Sequence, residues 1–202
     1  MIRQLTDPAN AITATGLVFS VVGISLVITG HAEWGVAVVL WALLADHLDG
    51  VVAARTANRA PETGKVGKSL DSLADLVSAG VFPAVLMLQL NSASWLAVIC
   101  AALLVVASAL RLSYFNTFGL SGGRFIGVPT TYALPLLAVL FLIRPMIPEE
   151  VFATLLCAAL VMLAVLHVTP IPVPRTTGAM YVVVTVFAVG SSAVLAIRGS
   201  YP

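Results

Sequence analysis

Most of this chain divides into stretches of about 20 residues with few charges or none, the length at which an α-helix crosses the hydrocarbon core of a bilayer. Residues 11–29 are the first such run, with no ionisable side chain before Glu33 except His31. Read along the sequence, the pattern predicts seven membrane helices, at about 10–30, 33–57, 69–90, 94–118, 128–146, 150–168 and 178–197. Lipid offers no partner to an open backbone, so seven such segments predict an all-α, polytopic membrane helical bundle in one domain, residues 1–202. Only 9% of the residues are charged, against about 25% in soluble domains. No basic block marks a nucleic-acid partner.

Two early features are read as ordinary. The N-terminal run is longer than the apolar core of a secretory signal, so it is expected to stay as the first helix. Cys100 and Cys157 each fall inside an apolar run, where a lone thiol is expected to pack rather than bridge or bind metal. Turn formers such as "GHAE", "NSAS" and "GLSGGR" separate the helices, and "TANRAPETGKVGK" is the most polar segment, expected to leave the bilayer.

Seven crossings place Arg3, Arg55, Arg59, Lys65, Lys68, Arg111, Arg124 and Arg175 on one side and only Arg144 and Arg198 on the other. This bias predicts that the first side is cytoplasmic. Against that background Asp46, Asp49, Asp71 and Asp75 stand out, because they lie near the same ends of the second and third apolar segments. Asp46 and Asp49 are three apart and Asp71 and Asp75 four apart, so each pair shares a helix face. A carboxylate at membrane depth costs several kcal/mol unless paired, hydrated or bound to a cation. Carboxylate oxygens suit hard divalent ions, and two such ions would offset four negative charges. Gly50 and Gly67 would let a phosphate or metal approach the backbone. Arg55, Arg59, Lys65 and Lys68 supply charge for a polyanionic substrate. The residues thus describe a metal-dependent phosphotransferase, with helix-locking ion pairs or a cation path as the alternatives. His47 and His167 are read as locally satisfied structural histidines.

The spacing resembles the signature of the CDP-alcohol phosphotransferase family, D-x-x-D-G-x-x-A-R followed after a spacer by G-x-x-x-D-x-x-x-D. Asp46, Asp49, Gly50 and Ala53 match the first half, and Gly67, Asp71 and Asp75 the second. "DPANAIT" (7–13) is similar to the entry to that family's first helix. "DSLADLVSAGVFPA" (71–84), "RLSYFN" (111–116), "FIGVPTTYA" (125–133) and, faintly, "HVTPIPVPR" (167–175) resemble stretches of its phosphatidylserine synthase branch.

The resemblance implies a six-helix core, here with a seventh helix added, usually a homodimer in the cell membrane with its site open to the cytoplasm. It implies transfer of a phosphatidyl group from CDP-diacylglycerol to the hydroxyl of L-serine, with CMP released. Other acceptors of the family are glycerol 3-phosphate, inositol phosphate and choline. By the same resemblance, Asp46, Asp49, Asp71 and Asp75 hold two divalent ions, Mg²⁺ or Mn²⁺, and Asp75 is the catalytic base. Asp49, Gly50, Ala53, Arg55, Gly67 and Asp71 line the CDP site, and Arg111, Asn116 and Arg124 face the acceptor. The chain departs from the signature at Ala54, where Arg is usual, so Arg55 must reach the site through a π-bulge or by wrapping round, or Arg59 replaces it. Tyr114 and Thr131 also depart from the branch's pattern. A cation transporter with four ion-binding aspartates is the alternative outside the enzyme class.

Overall fold

The structure is a computed structural model that describes residues 1–57, 59–175 and 178–200. Asp7 caps the first helix, its side chain accepting from the backbone N–H of Asn10 at 3.0 Å, and Pro8 occupies the first helical position. This helix, α1, spans Pro8–Ile28, and a tight turn leads into α2, Ala32–Arg55. Next come α3 (Pro61–Asp75) and α4 (Phe82–Leu90), joined without a break through a π-helical turn at Leu76–Val81. The remaining elements are α5 (Trp95–Phe118), β1 (Phe125–Ile126), α6 (Ala133–Ile143), α7 (Glu149–Val168), β2 (Pro172–Val173) and α8 (Gly178–Gly199).

Among the described residues, six helices are long and apolar enough to cross a membrane, counting Pro61–Leu90 as one. The all-α polytopic bundle expected from the sequence is what the chain forms. The expected helix at 128–146 is the exception in length. Its α-helical part has 11 residues, about 16 Å at 1.5 Å per residue. Single 3-10 turns at Thr130–Tyr132 and Arg144–Met146 extend it.

The third helix differs too, because it begins at Pro61 rather than near 69. Most of the polar segment expected as a loop is helical, with Pro61 in the first turn beside Glu62. The π turn follows from Pro83. Proline has no N–H to give the carbonyl four residues back, and just before it Phe82 N–H bonds Val77 O, five residues back.

α1 packs most extensively on α2 through small residues. A Cβ on Gly16 would stand 3.1 Å from Ala45 Cβ, and one on Gly23 would stand 3.1 Å from the carbonyl of Gly35. The apolar core lies among α2, α4, α5, α6 and α7, with Leu40, Phe82, Leu104, Phe141, Phe152 and Leu160 fully buried. α8 lies against α2 and α6. Ser192 on α8 bonds the Ala37 carbonyl at 2.9 Å and receives a bond from Trp41 Nε1 at 3.0 Å.

Candidate active site

With α3 and α4 counted as one, successive helices alternate in direction, so the start of α1, the end of α2, the start of α3, and the ends of α5 and α7 gather at one end of the bundle. Tertiary bonds tie them there. Arg59, in the link from α2 to α3, reaches Asp7 and Asn10 at the start of α1. Lys68 Nζ on α3 donates to the Asn116 carbonyl on α5 at 3.0 Å, and Asn116 Nδ2 donates to Ser72 Oγ at 2.8 Å.

The four aspartates meet in this region. Asp46, Asp49 and Asp71 each present a carboxylate oxygen within 4.8 Å of the others. Asp71 and Asp75 share a small cleft with Asp46, walled by Thr13 and Ser20 of α1 and by Ser78 of the π turn. Asp49 is buried and receives the Thr13 hydroxyl. Among the described residues, the ion pairs within 4.0 Å are Arg59–Asp7 and Arg144–Glu149, so none of the four aspartates is paired to a cationic side chain. A cluster of carboxylates without an internal cation, offering oxygen ligands only, fits a hard divalent ion. This is a candidate divalent-metal centre.

Beside it lies a cavity of about 220 Å³. Of the six residues expected to line a CDP site, Asp49, Gly50, Ala53, Gly67 and Asp71 border this cavity. Arg55 does not. It is exposed at the end of α2, which runs as a regular α-helix with no π-bulge to turn Arg55 inward. Arg59 borders the cavity instead, with Lys68 and Asn10. Its guanidinium is held by Asp7, at 3.1 Å from Nε to Oδ2 and 3.0 Å from Nη2 to Oδ1, and by Asn10 Oδ1 at 2.7 Å. A Cβ on Gly67 would run into Asn10 Oδ1 and come within 2.6 Å of Arg59 Nη2, so a side chain there would displace this network.

The three residues expected at the acceptor lie apart. Arg111 on α5 is buried, within electrostatic reach of Asp75, with its guanidinium 5.2 Å from the Phe115 ring centre and 5.3 Å from that of Phe125. Asn116 lies nearer the Ser72 side of α3, with Oδ1 buried and unbonded. Arg124 is exposed on the tight turn closed by Ser121 and borders none of the cavities described.

His47 is satisfied locally, as expected, with Nδ1 2.7 Å from the Leu43 carbonyl and its ring edge-on to Tyr181. His167 is satisfied on one nitrogen alone. Its Nδ1 is 2.9 Å from the Val128 carbonyl, while Nε2 is buried without a partner. Asn10, Thr13 and His167 were not among the expected site residues. Asn10 and Thr13 were within reach of sequence reasoning, because polar residues a helical turn apart in an apolar run share a face. Cys100 and Cys157 are free thiols.

The sequence profile of the CDP-alcohol phosphatidyltransferase family matches residues 7–168, from the α1 cap to the end of α7, leaving α8 outside. The archaetidylserine synthase of Methanothermobacter thermautotrophicus is 33% identical over 158 residues, 77% of this chain and 64% of that protein. A CDP-diacylglycerol–serine O-phosphatidyltransferase of Methanocaldococcus jannaschii is 40% identical over 87 residues, 43% of this chain and 40% of the relative. One from Bacillus subtilis is 36% identical over 97 residues, 47% of this chain and 52% of the relative. The matched part of the chain thus spans 64% or less of the length of each of these relatives. No solved structure matches.

Proposed function

This chain belongs to the CDP-alcohol phosphatidyltransferase family, and from that premise we propose that it transfers a phosphatidyl group from CDP-diacylglycerol to L-serine, forming phosphatidylserine and CMP. The observation that carries the reading is the union of the carboxylate cluster with a cavity bordered by Asp49, Gly50, Ala53, Gly67 and Asp71. The relatives' names support the acceptor, since all three specify serine, one with an archaetidyl lipid and two with CDP-diacylglycerol.

Asp46, Asp49, Asp71 and Asp75 would hold the divalent ions, Mg²⁺ or Mn²⁺. Bound there, such ions supply charge neutralisation of the pyrophosphate and a better leaving group. The chain's own residues do the rest. Gly50 and Gly67 keep the backbone open to the nucleotide, and Arg59 and Lys68 face its phosphates. Arg59 arrives pre-oriented by Asp7 and Asn10, so less side-chain entropy is lost on binding. The serine hydroxyl oxygen forms a bond to the β-phosphorus as the bond from that phosphorus to the CMP oxygen breaks. Asp75 accepts the hydroxyl proton, the role of a general base placed beside the reacting group.

The eight-to-two distribution of basic residues supports a cytoplasmic orientation for this end. The family resemblance supports a homodimer.

The test is CMP release from CDP-diacylglycerol by the purified protein, with a panel of alcohols and with divalent ions removed by chelation. The proposal expects release with L-serine, loss on chelation and recovery with Mg²⁺ or Mn²⁺. Release with glycerol 3-phosphate but not serine would move the acceptor. Release unaffected by exhaustive chelation would overturn the metal assignment.

A further inference from the structure

A second cavity, of about 310 Å³, opens between the ends of α5 and α7 and is bordered by Arg111, Tyr114, Gly127, His167 and Thr169. Its wall is built by a short backbone join. β1 pairs antiparallel with β2, Phe125 opposite Val173 and Ile126 opposite Pro172. Gly127 N–H then bonds the Ile171 carbonyl at 2.9 Å, and Val128 N–H bonds the Leu166 carbonyl at 3.1 Å. Gly127 has φ +76°, and a Cβ there would collide with the carbonyl of His167. The join therefore fixes the end of α7 against the 125–128 segment, and with it the His167 ring.

Two charged or polar groups in this wall lack partners. His167 is 2% exposed and Arg111 7% exposed, and both His167 Nε2 and Arg111 Nε are buried without a hydrogen bond. The histidine's tautomer follows from its neighbour. The Val128 carbonyl can only accept, so Nδ1 carries the proton. In the neutral ring Nε2 is then a lone-pair acceptor. Arg111 is a pure donor and lies within electrostatic reach of both His167 and Asp75. An acceptor and a cationic donor, carried by two buried side chains that both border one cavity, complement a small zwitterion.

We propose that this cavity receives the amino-acid head of the acceptor and that His167 Nε2 accepts a hydrogen bond from its α-ammonium group, making His167 the residue that selects an amino acid over other alcohols. Arg111 takes the α-carboxylate, and the hydroxyl is directed toward Asp75. The inference rests on the phosphatidyl-transfer reading and adds to it the group that recognises the amine.

The experiment compares His167→Asn with His167→Gln in CDP-diacylglycerol-dependent CMP release by the full-length protein. Asn keeps a donor where Nδ1 stands and preserves the bond to Val128, whereas Gln returns an amide oxygen near the place of Nε2. Asn is expected to raise KM for L-serine by about ten- to a hundredfold, the loss of one hydrogen bond to a charged group, with kcat and KM for CDP-diacylglycerol little changed. Gln should recover part of the loss. Binding of 3-hydroxypropanoate, which has the hydroxyl and carboxylate but no amine, should be equal in wild type and His167→Asn, read as KM or as competitive Ki. An unchanged serine KM in His167→Asn, or equal weakening of serine and 3-hydroxypropanoate, overturns the assignment while leaving the reaction intact. Absence of CMP release with every alcohol overturns the reading beneath it.

Discussion

Arg59 and Asp7 stand 52 positions apart in sequence, yet they meet through two hydrogen bonds of 3.1 and 3.0 Å, and Arg59 borders the cavity of about 220 Å³. The pair ties the link between α2 and α3 to the cap of α1. On the proposed reading, the guanidinium that the site lacks at position 54 comes from this following loop.

Arg59 and Arg55 should therefore behave differently when replaced. Arg59→Ala is expected to raise KM for CDP-diacylglycerol about ten- to a hundredfold, from the loss of charge-assisted bonds to phosphate. Arg55→Ala, at an exposed position, should stay within about 0.5 kcal/mol of wild type, roughly twofold. Steady-state kinetics of the two variants check this, and the reverse order would return the phosphate contact to Arg55.

The same ion pair carries a pH dependence. Burial pushes the Asp7 carboxyl upward, but bonds from the Asn10 backbone and the Arg59 guanidinium together outweigh it and hold the carboxyl below its ordinary 3.8. A depressed carboxylate contributes stability above its unfolded value, and that contribution is lost as pH falls through the lower folded value. Asp7→Asn keeps a helix cap but not the charge. It should unfold at a lower temperature than wild type near neutral pH, with the difference closing as the pH falls below 3.8 and through the lowered folded value. Thermal unfolding in detergent at several pH values measures this.

Two glycines separate space from stability. A Cβ at Gly50 meets nothing within 4 Å, yet the residue borders the cavity. Gly50→Ala should leave stability unchanged or raise it by about 0.5–1 kcal/mol, the helix preference of Ala over Gly. Activity should still fall about tenfold or more, because the methyl group displaces bound nucleotide. Gly67→Ala should lower both, since its Cβ strikes Asn10 and Arg59. Unfolding temperature and CMP release, measured side by side, distinguish the two patterns.

Much of this was legible in the sequence because lipid imposes a simple rule on helix length and charge. The spacing of Asp46 with Asp49 and of Asp71 with Asp75 gave the carboxylate cluster, since helical periodicity alone puts each pair on one face. Arg59 was harder, because a loop residue's direction depends on tertiary bonds to Asp7 and Asn10 that no local pattern encodes. A π-bulge was one of the ways for Arg55 to reach the site; the π turn lies instead at Leu76–Val81, where the missing N–H of Pro83 is the available signal. The polarity of residues 61–68 hides the start of the third helix, which Pro61 opens in the first turn. The orphaned Nε2 of His167 depends on the tertiary join of β1, β2 and the end of α7, which no local pattern encodes.

The most direct test of the central claim is serine-dependent CMP release from CDP-diacylglycerol, in the presence of Mg²⁺ or Mn²⁺, by wild-type protein and Asp75→Asn. The account predicts turnover by the wild type and a fall in kcat of about 10²–10⁴-fold in the variant, the range of a lost general base. CMP release with serine at the same rate in Asp75→Asn would contradict the assigned base, and no release by the wild type with any alcohol would contradict the reaction itself.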